Sequence, residues 1–169
     1  MNLIPHWLIG LVALQRLLEL AVSRRNTGRL LASGAHEVGA SHYLLLVAVH
    51  VGWLAALWLT IPSAAAISWP WFAAYLVLEC GRVWVMLTLG PYWTTRIIYV
   101  PHVPLVRSGP YRLFRHPNYA VVCGEIAVLP LVFGQWQIAL VFSVLNAGVL
   151  AWRIQVENAA LATRVGAGS

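Results

Sequence analysis

Five apolar stretches, at residues 3–21, 43–61, 69–89, 119–133 and 138–152, constrain this chain more than any other feature. A helix crosses a bilayer with about 20 consecutive mostly apolar residues. The first three stretches meet that length. The last two are shorter and are separated by only Gly134-Gln135-Trp136-Gln137, which predicts a tight helical hairpin. Composition agrees. Charged residues make up 9% of the chain and hydrophobic ones 60%, against roughly 25% and 45–50% in soluble domains. The expected fold is therefore all-α: a polytopic membrane protein with about five transmembrane helices, the last two paired. Residues 1–90 form an N-terminal three-span region. Residues 91–169 form a loop, hairpin and tail, the two parts making one integrated domain.

The charges are distributed by side. Eleven Arg and five Glu, with neither Lys nor Asp, give a net charge of +6. Residues 22–42 hold Arg24, Arg25 and Arg29, and residues 91–118 hold Arg96, Arg107, Arg112 and Arg115. The tail holds Arg153 and Arg164, whereas 62–68 and 134–137 hold none. This alternation places every basic segment on one side, which the positive-inside rule makes the cytoplasm. Orientation and attraction to anionic lipid account for the basic balance, so nucleic acid is not expected as a partner. The first stretch lacks a positive n-region and carries Gln15, Arg16 and Glu19, so it reads as a retained span rather than a cleaved signal. The expected location is a bacterial inner membrane.

Within the spans, Glu19, Glu79, Arg82 and Glu125 are costly groups that need partners. Glu79 and Arg82, at i and i+3, are expected to pair with each other or to line a lipid path. For Glu125 the candidates are Arg82 and Asn146. Cys80 and Cys123 lack CxxC spacing and are expected as buried core thiols. The six His show no ligand spacing, so no metal site is expected.

Two polar clusters should flank the hairpin at the cytoplasmic face. The first is Gly109-Pro110-Tyr111-Arg112-Leu113-Phe114-Arg115-His116-Pro117-Asn118-Tyr119. Gly-Pro turns the chain, and Pro117 suits the first turn of a helix. The free N–H groups there, with Arg115 and His116, can hold an anionic group. The plain alternative is a basic interfacial loop running into a helix start. The second cluster, Arg153 and Glu157, shares a helix face. It reads either as a weak salt bridge or as an Arg that grips an oxyanion beside a fixed carboxylate.

The stretch from 101 to 161 resembles the isoprenylcysteine carboxyl methyltransferase family. The matching strings are Val106-Arg107-Ser108-Gly109-Pro110-Tyr111, Arg115-His116-Pro117-Asn118-Tyr119, and Arg153 with Glu157. In the N-terminal half, Glu19, Arg24-Arg25-Asn26, His36-Glu37 and His42-Tyr43 look like a bacterial branch whose members methylate alkylpyrones made by type III polyketide synthases. The resemblance implies an S-adenosylmethionine-dependent O-methyltransferase acting on a lipidic or lipidated acceptor. It implies cofactor contacts from Val103, Pro104, Leu105, Val106, Tyr111, His116, Pro117, Asn118, Tyr119 and Glu157, with Arg96 near a further contact. The resemblance also implies that Arg153 faces the acceptor and that Arg153 and Glu157 carry the catalytic roles. A second reading is an NADPH-dependent membrane reductase of a sterol-like or isoprenoid substrate, because some sterol reductases carry a similar Arg-His-Pro-Asn-Tyr string followed by an acidic residue, here Glu125. A third is a non-enzymatic partner whose basic loop binds lipid headgroups. The sequence sets neither the acceptor nor the oligomeric state.

Overall fold

The structure, a computed structural model, describes residues 3–40, 43–101 and 103–166, the side chains of 158–166 excepted. Five helices and one short strand pair follow in the order α1 (Ile4–Ala32), β1 (His36–Val38), α2 (Tyr43–Thr60), α3 (Trp69–Leu89), β2 (Ile97–Tyr99), α4 (Pro117–Val132) and α5 (Trp136–Gly166). Single 3-10 turns lie at Gly90–Tyr92 and Gly109–Arg112. The protein is an all-α polytopic membrane protein. Four helices are long and apolar enough to cross a bilayer: α1, α2, α3 with the turn after it, and α5 as far as Glu157. The fifth, α4, has 16 residues, about 24 Å at 1.5 Å per residue, short of the ~30 Å hydrocarbon core.

Local sequence explains the element ends. Pro5, Pro70 and Pro117 occupy first turns, where a missing N–H is harmless. α3 stops at Gly90, whose φ of 51° only glycine adopts easily. Gly134, at φ 71°, turns α4 back into α5. On the contact face of α3 and α4, Gly81 meets Val121 and Gly124 meets Leu78. Small residues there let the two backbones approach.

Two helices are longer than hydropathy predicts. α1 runs 29 residues, well past residue 21, and α5 continues through the tail to Gly166 instead of ending at 152. Hydropathy reports where the membrane stops. It does not report where the helix stops, and Arg, Leu and Ala continue a helix into water readily. The strands, too, carry no signal in the sequence. β1 and β2 pair antiparallel, His36 opposite Tyr99 and Val38 opposite Ile97, and so join the two basic loops at one end of the bundle.

The interior is arranged in three tiers. The end away from the basic loops is apolar: Ile9, Val12, Trp53, Leu57, Tyr75, Ile126, Leu129, Val132 and Phe133 pack together. A charged tier crosses the middle. Arg16 bonds Glu19 and Glu79 at 2.8 Å and reaches Glu125 at 3.2 Å. Arg82 forks onto Glu125 and bonds Glu19 at 3.2 Å. Glu79 and Arg82 thus bond across helices rather than to each other, Glu79 to α1 and Arg82 to α1 and α4. Of the two partners expected for Glu125, Arg82 takes the role, while Asn146 donates to Cys123 Sγ at 3.5 Å. The third tier is a polar cleft at the basic end.

Outside the bundle, Trp7, Leu11, Leu44, Leu59, Val77, Leu87 and Val144 point outward, as helices facing lipid require. Cys80 and Cys123 are also exposed and are not core thiols. Apolar neighbours in sequence mark the core and the lipid face alike, so they could not separate the two.

Candidate active site

The cleft at the basic end has a volume of about 1160 Å³. Five pieces of chain, among the described residues, build it: α1 at Leu30, the end of α3 with its 3-10 turn, the β2 segment, the 103–116 loop with the start of α4, and α5 around Arg153. The hairpin accounts for the last pairing. Because only three residues join α4 to α5, Tyr119 in the first turn of α4 comes to lie beside Arg153 of α5.

Tyr119 is the junction of the site. Arg153 donates through Nε to its hydroxyl at 2.8 Å, and that hydroxyl donates to Glu157 Oε2 at 2.5 Å. Arg153 and Glu157 are therefore not a simple i,i+4 salt bridge. They are linked through a phenol from another helix. His116 stacks on the Tyr119 ring, with centroids 5.2 Å apart and planes 13° apart, and its Nδ1 lies 3.7 Å from Glu157. The guanidinium of Arg153 sits 5.5 Å over the same ring. Arg153 is 5% exposed, and its guanidinium has no other hydrogen-bond partner among the described residues. Burial, with the Glu157 carboxylate adding to it, pushes the Tyr111 phenol up to about 12. It stays protonated across the physiological range and can serve as a donor.

Three buried polar atoms on this cleft have no protein partner among the described residues: His116 Nε2, Asn118 Oδ1 and Trp93 Nε1. A buried polar group left unpaired is costly. An imidazole nitrogen, an amide oxygen that accepts and an indole N–H that donates, on three residues lining one cavity, fit a polar ligand that supplies their partners.

Of the residues singled out from sequence, Val103, Pro104, Leu105, Val106, Tyr111, His116, Asn118, Tyr119, Arg153 and Glu157 all line this cleft. Pro117 does not; it is buried at the first position of α4. Arg96 lines the cleft, but its Nη1 is held by Glu37 at 2.7 and 2.8 Å and its guanidinium lies over Tyr43. His42 and His102 lie outside the described residues. Glu125 does not line the cleft; Arg82 holds it in the charged tier.

Sequence reasoning missed the contribution of α3. Thr88 and Trp93 line the cleft, and Asn26 of α1 steadies this wall by donating to the carbonyls of Gly90 and Trp93 at 3.3 and 2.9 Å. The Gly90-Pro91 break is visible as a helix end, but nothing in it announces a wall of a site.

Gly109 is where the loop closes on that wall. Its φ is +56°, and a Cβ there would sit 2.6 Å from Thr88 Oγ1 and 3.2 Å from Trp84 Nε1. Gly109→Val is expected to destabilise the protein by about 1–3 kcal/mol, since a β-branched residue is a strong outlier at positive φ. Tryptophan-fluorescence melts in detergent would register it, and an unchanged midpoint would mean the turn does not dock on α3 in this way.

Comparison with known proteins gives one family and two relatives. The model of the isoprenylcysteine carboxyl methyltransferase family matches residues 71–163. The uncharacterised protein YpbQ of Bacillus subtilis is 38% identical over 159 residues, 91% of this chain and 94% of that protein. An uncharacterised protein of Haemophilus influenzae is 29% identical over 155 residues, 86% and 88% of the two chains. No solved structure matches.

Proposed function

The chain belongs to the isoprenylcysteine carboxyl methyltransferase family and is a membrane methyltransferase; from that premise we propose that it is S-adenosylmethionine-dependent and methylates an oxygen of a lipidic acceptor at the cytoplasmic face of the bacterial inner membrane. The observation that carries this reading is one cleft whose lining brings together the Arg153–Tyr119–Glu157 chain with His116, Asn118 and Trp93, each of which holds a buried polar atom unpartnered among the described residues.

The residues present fit the cofactor. His116, Asn118, Tyr119 and Glu157 would hold its polar groups, with Tyr111 as a further donor. Val103, Pro104, Leu105 and Val106 supply the wall. When bound, S-adenosylmethionine brings an electrophilic methyl group on a sulfonium. Arg153 supplies a planar cation for the acceptor oxyanion, with its plane set by the bond to Tyr119. The acceptor is an isoprenylcysteine-type carboxylate or the acidic hydroxyl of an alkylpyrone. Carboxylates are ionised near neutral pH, as is an acidic enol, so the site needs no strong base. The work left to the protein is positioning, and a well-oriented pair of reactants lowers the barrier by several kcal/mol. Leu87 both lines the cleft and points outward from the bundle, which supports a lipid tail staying in the bilayer while the headgroup reaches Arg153.

The reductase reading draws less support, because Glu125 is committed to Arg82 and lies outside the cleft. Calorimetric titration of the detergent-purified protein with S-adenosylhomocysteine, and with NADPH in parallel, separates the two. Expected is binding of S-adenosylhomocysteine that weakens at least ~10-fold, or about 1.4 kcal/mol, in His116→Ala and in Glu157→Ala. Binding of NADPH alone would replace this reading by the reductase, and binding of neither would favour a scaffold.

A further inference from the structure

A second and smaller cleft lies where α1 leaves the membrane on the basic side, between α1, β1 and the start of α2. Its volume is about 270 Å³, below the ~300–1,000 Å³ typical for drug-sized ligands. Ser23, Thr27, Tyr43 and Thr95 bring hydroxyl groups to its wall. Those of Ser23 and Thr95 share a hydrogen bond of 2.8 Å, and Tyr43 Oη approaches Thr95 at 3.4 Å. Thr27 differs from them. It is 9% exposed, and its buried Oγ1 has no partner among the described residues. A helical threonine ordinarily returns its hydroxyl to a carbonyl one turn back. Thr27 lines the cleft, and its hydroxyl is left without such a bond among the described residues.

The charge of the wall is also unbalanced. Arg24, Arg96 and Glu37 line it, a sum of +2 and −1, or +1. Glu37 is spent on Arg96, whereas Arg24 makes no hydrogen bond or ion pair among the described residues. Depth in the bilayer narrows the choice of occupant. Glu79 is the central residue of α3 (Trp69–Leu89) and bonds Arg16, which places Arg16 near the midplane. Arg24 is eight residues further along α1, about 12 Å at 1.5 Å per residue. The hydrocarbon half-thickness is about 15 Å. An Arg at that depth extends to the phosphate level of the leaflet.

We infer that this cleft binds the headgroup of an anionic, glycerol-bearing phospholipid, its phosphate between Arg24 and the Thr27 hydroxyl and its acyl chains in the surrounding bilayer. A wall of net charge +1 favours a headgroup of net charge −1 over a zwitterionic one, and clustered hydroxyls suit a polyol. The site is separate from the large cleft, and Arg96 is the residue common to both walls.

Native mass spectrometry of the detergent-solubilised protein tests this with dioleoylphosphatidylglycerol and dioleoylphosphatidylcholine at equal concentration. Expected is one phosphatidylglycerol retained with about 10-fold preference. That preference should fall to near parity in Arg24→Gln and in Thr27→Val, and persist in Thr27→Ser, which keeps the hydroxyl. Equal retention of the two lipids, or a preference that survives in both Arg24→Gln and Thr27→Val, overturns the proposal. Displacement of the lipid by millimolar glycerol 3-phosphate also overturns it, placing a soluble phosphate ester in the cleft instead. Bound lipid mass is the readout, so the outcome does not depend on methyl transfer.

Discussion

Tyr119→Phe is expected to lower methyl transfer by about 100-fold while leaving helix content unchanged and the melting midpoint close to wild type. Among the described residues, the phenol oxygen hydrogen-bonds α4 to both ionic residues of α5. It accepts from Arg153 Nε and donates to Glu157. Without it, both side chains keep their charge and lose their shared fixed point. One hydroxyl contributes only about 1 kcal/mol to net stability, so the fold survives. Catalysis by positioning is less tolerant, and displacement of a reacting group by ~1 Å can cost about 10²-fold. Arg153→Lys should match it. An ammonium keeps the charge but lacks the planar fork that holds Tyr119 and an oxyanion together. Turnover of radiolabelled S-adenosylmethionine, with whichever of a farnesylated cysteine and an alkylpyrone the wild type methylates, provides the measurement. Wild-type turnover by Tyr119→Phe would mean that Arg153 and Glu157 are not organised through the phenol.

The legibility of this site in the sequence has a geometric origin. The pair His116 and Tyr119 is far in the chain from the pair Arg153 and Glu157, but a short turn between two antiparallel helices makes residues at similar distances from it neighbours. Gly134 marks that turn, so the regions of 119 and 153 can be matched from their spacing alone. The Trp-Pro-Trp start and Gly-Pro end of α3 mark its limits in the same way. Other features have no such marker. β1 and β2 are three residues each, too short to show alternation, and their pairing depends on α1 running 11 residues past its apolar part. Trp93 joins the site from the turn after α3, whose carbonyls Asn26 holds, a contact set by packing between distant segments. The charged tier is half legible. That Glu19, Glu79, Arg82 and Glu125 need partners follows from hydropathy alone. Which partner each finds does not, because i,i+3 proximity on one helix competes with better geometry across helices.

The largest stability loss is expected from Arg82→Leu, about 3–5 kcal/mol. Arg82 is 5% exposed and Glu125 2%, and both belong to a network of three Glu and two Arg whose formal charge is −1. Arg82 forks onto Glu125 and also bonds Glu19. Removing it leaves three carboxylates facing Arg16 alone, with a net charge of −2 at membrane depth. Breaking one side of a buried pair typically costs about 3–5 kcal/mol, mostly because the remaining charge is stranded. If stranding is the cause, Arg82→Leu with Glu125→Leu should recover a good part of the loss. The double change leaves Arg16 with Glu19 and Glu79, again a net charge of −1, and fills the space with apolar side chains. Reversible unfolding in mixed micelles, monitored by circular dichroism, would give the three stabilities. A double variant less stable than either single change would show that the fork itself, rather than charge balance, holds the helices. A single Arg82→Leu within about 1 kcal/mol of wild type would remove the network from the account of the fold. The network also bears on the site, since Glu125 lies six residues from Tyr119 on α4. The helix that Arg82 anchors is the one that carries the phenol to Arg153, so Arg82→Leu should weaken binding of S-adenosylhomocysteine as well as stability, and the double change should restore both together.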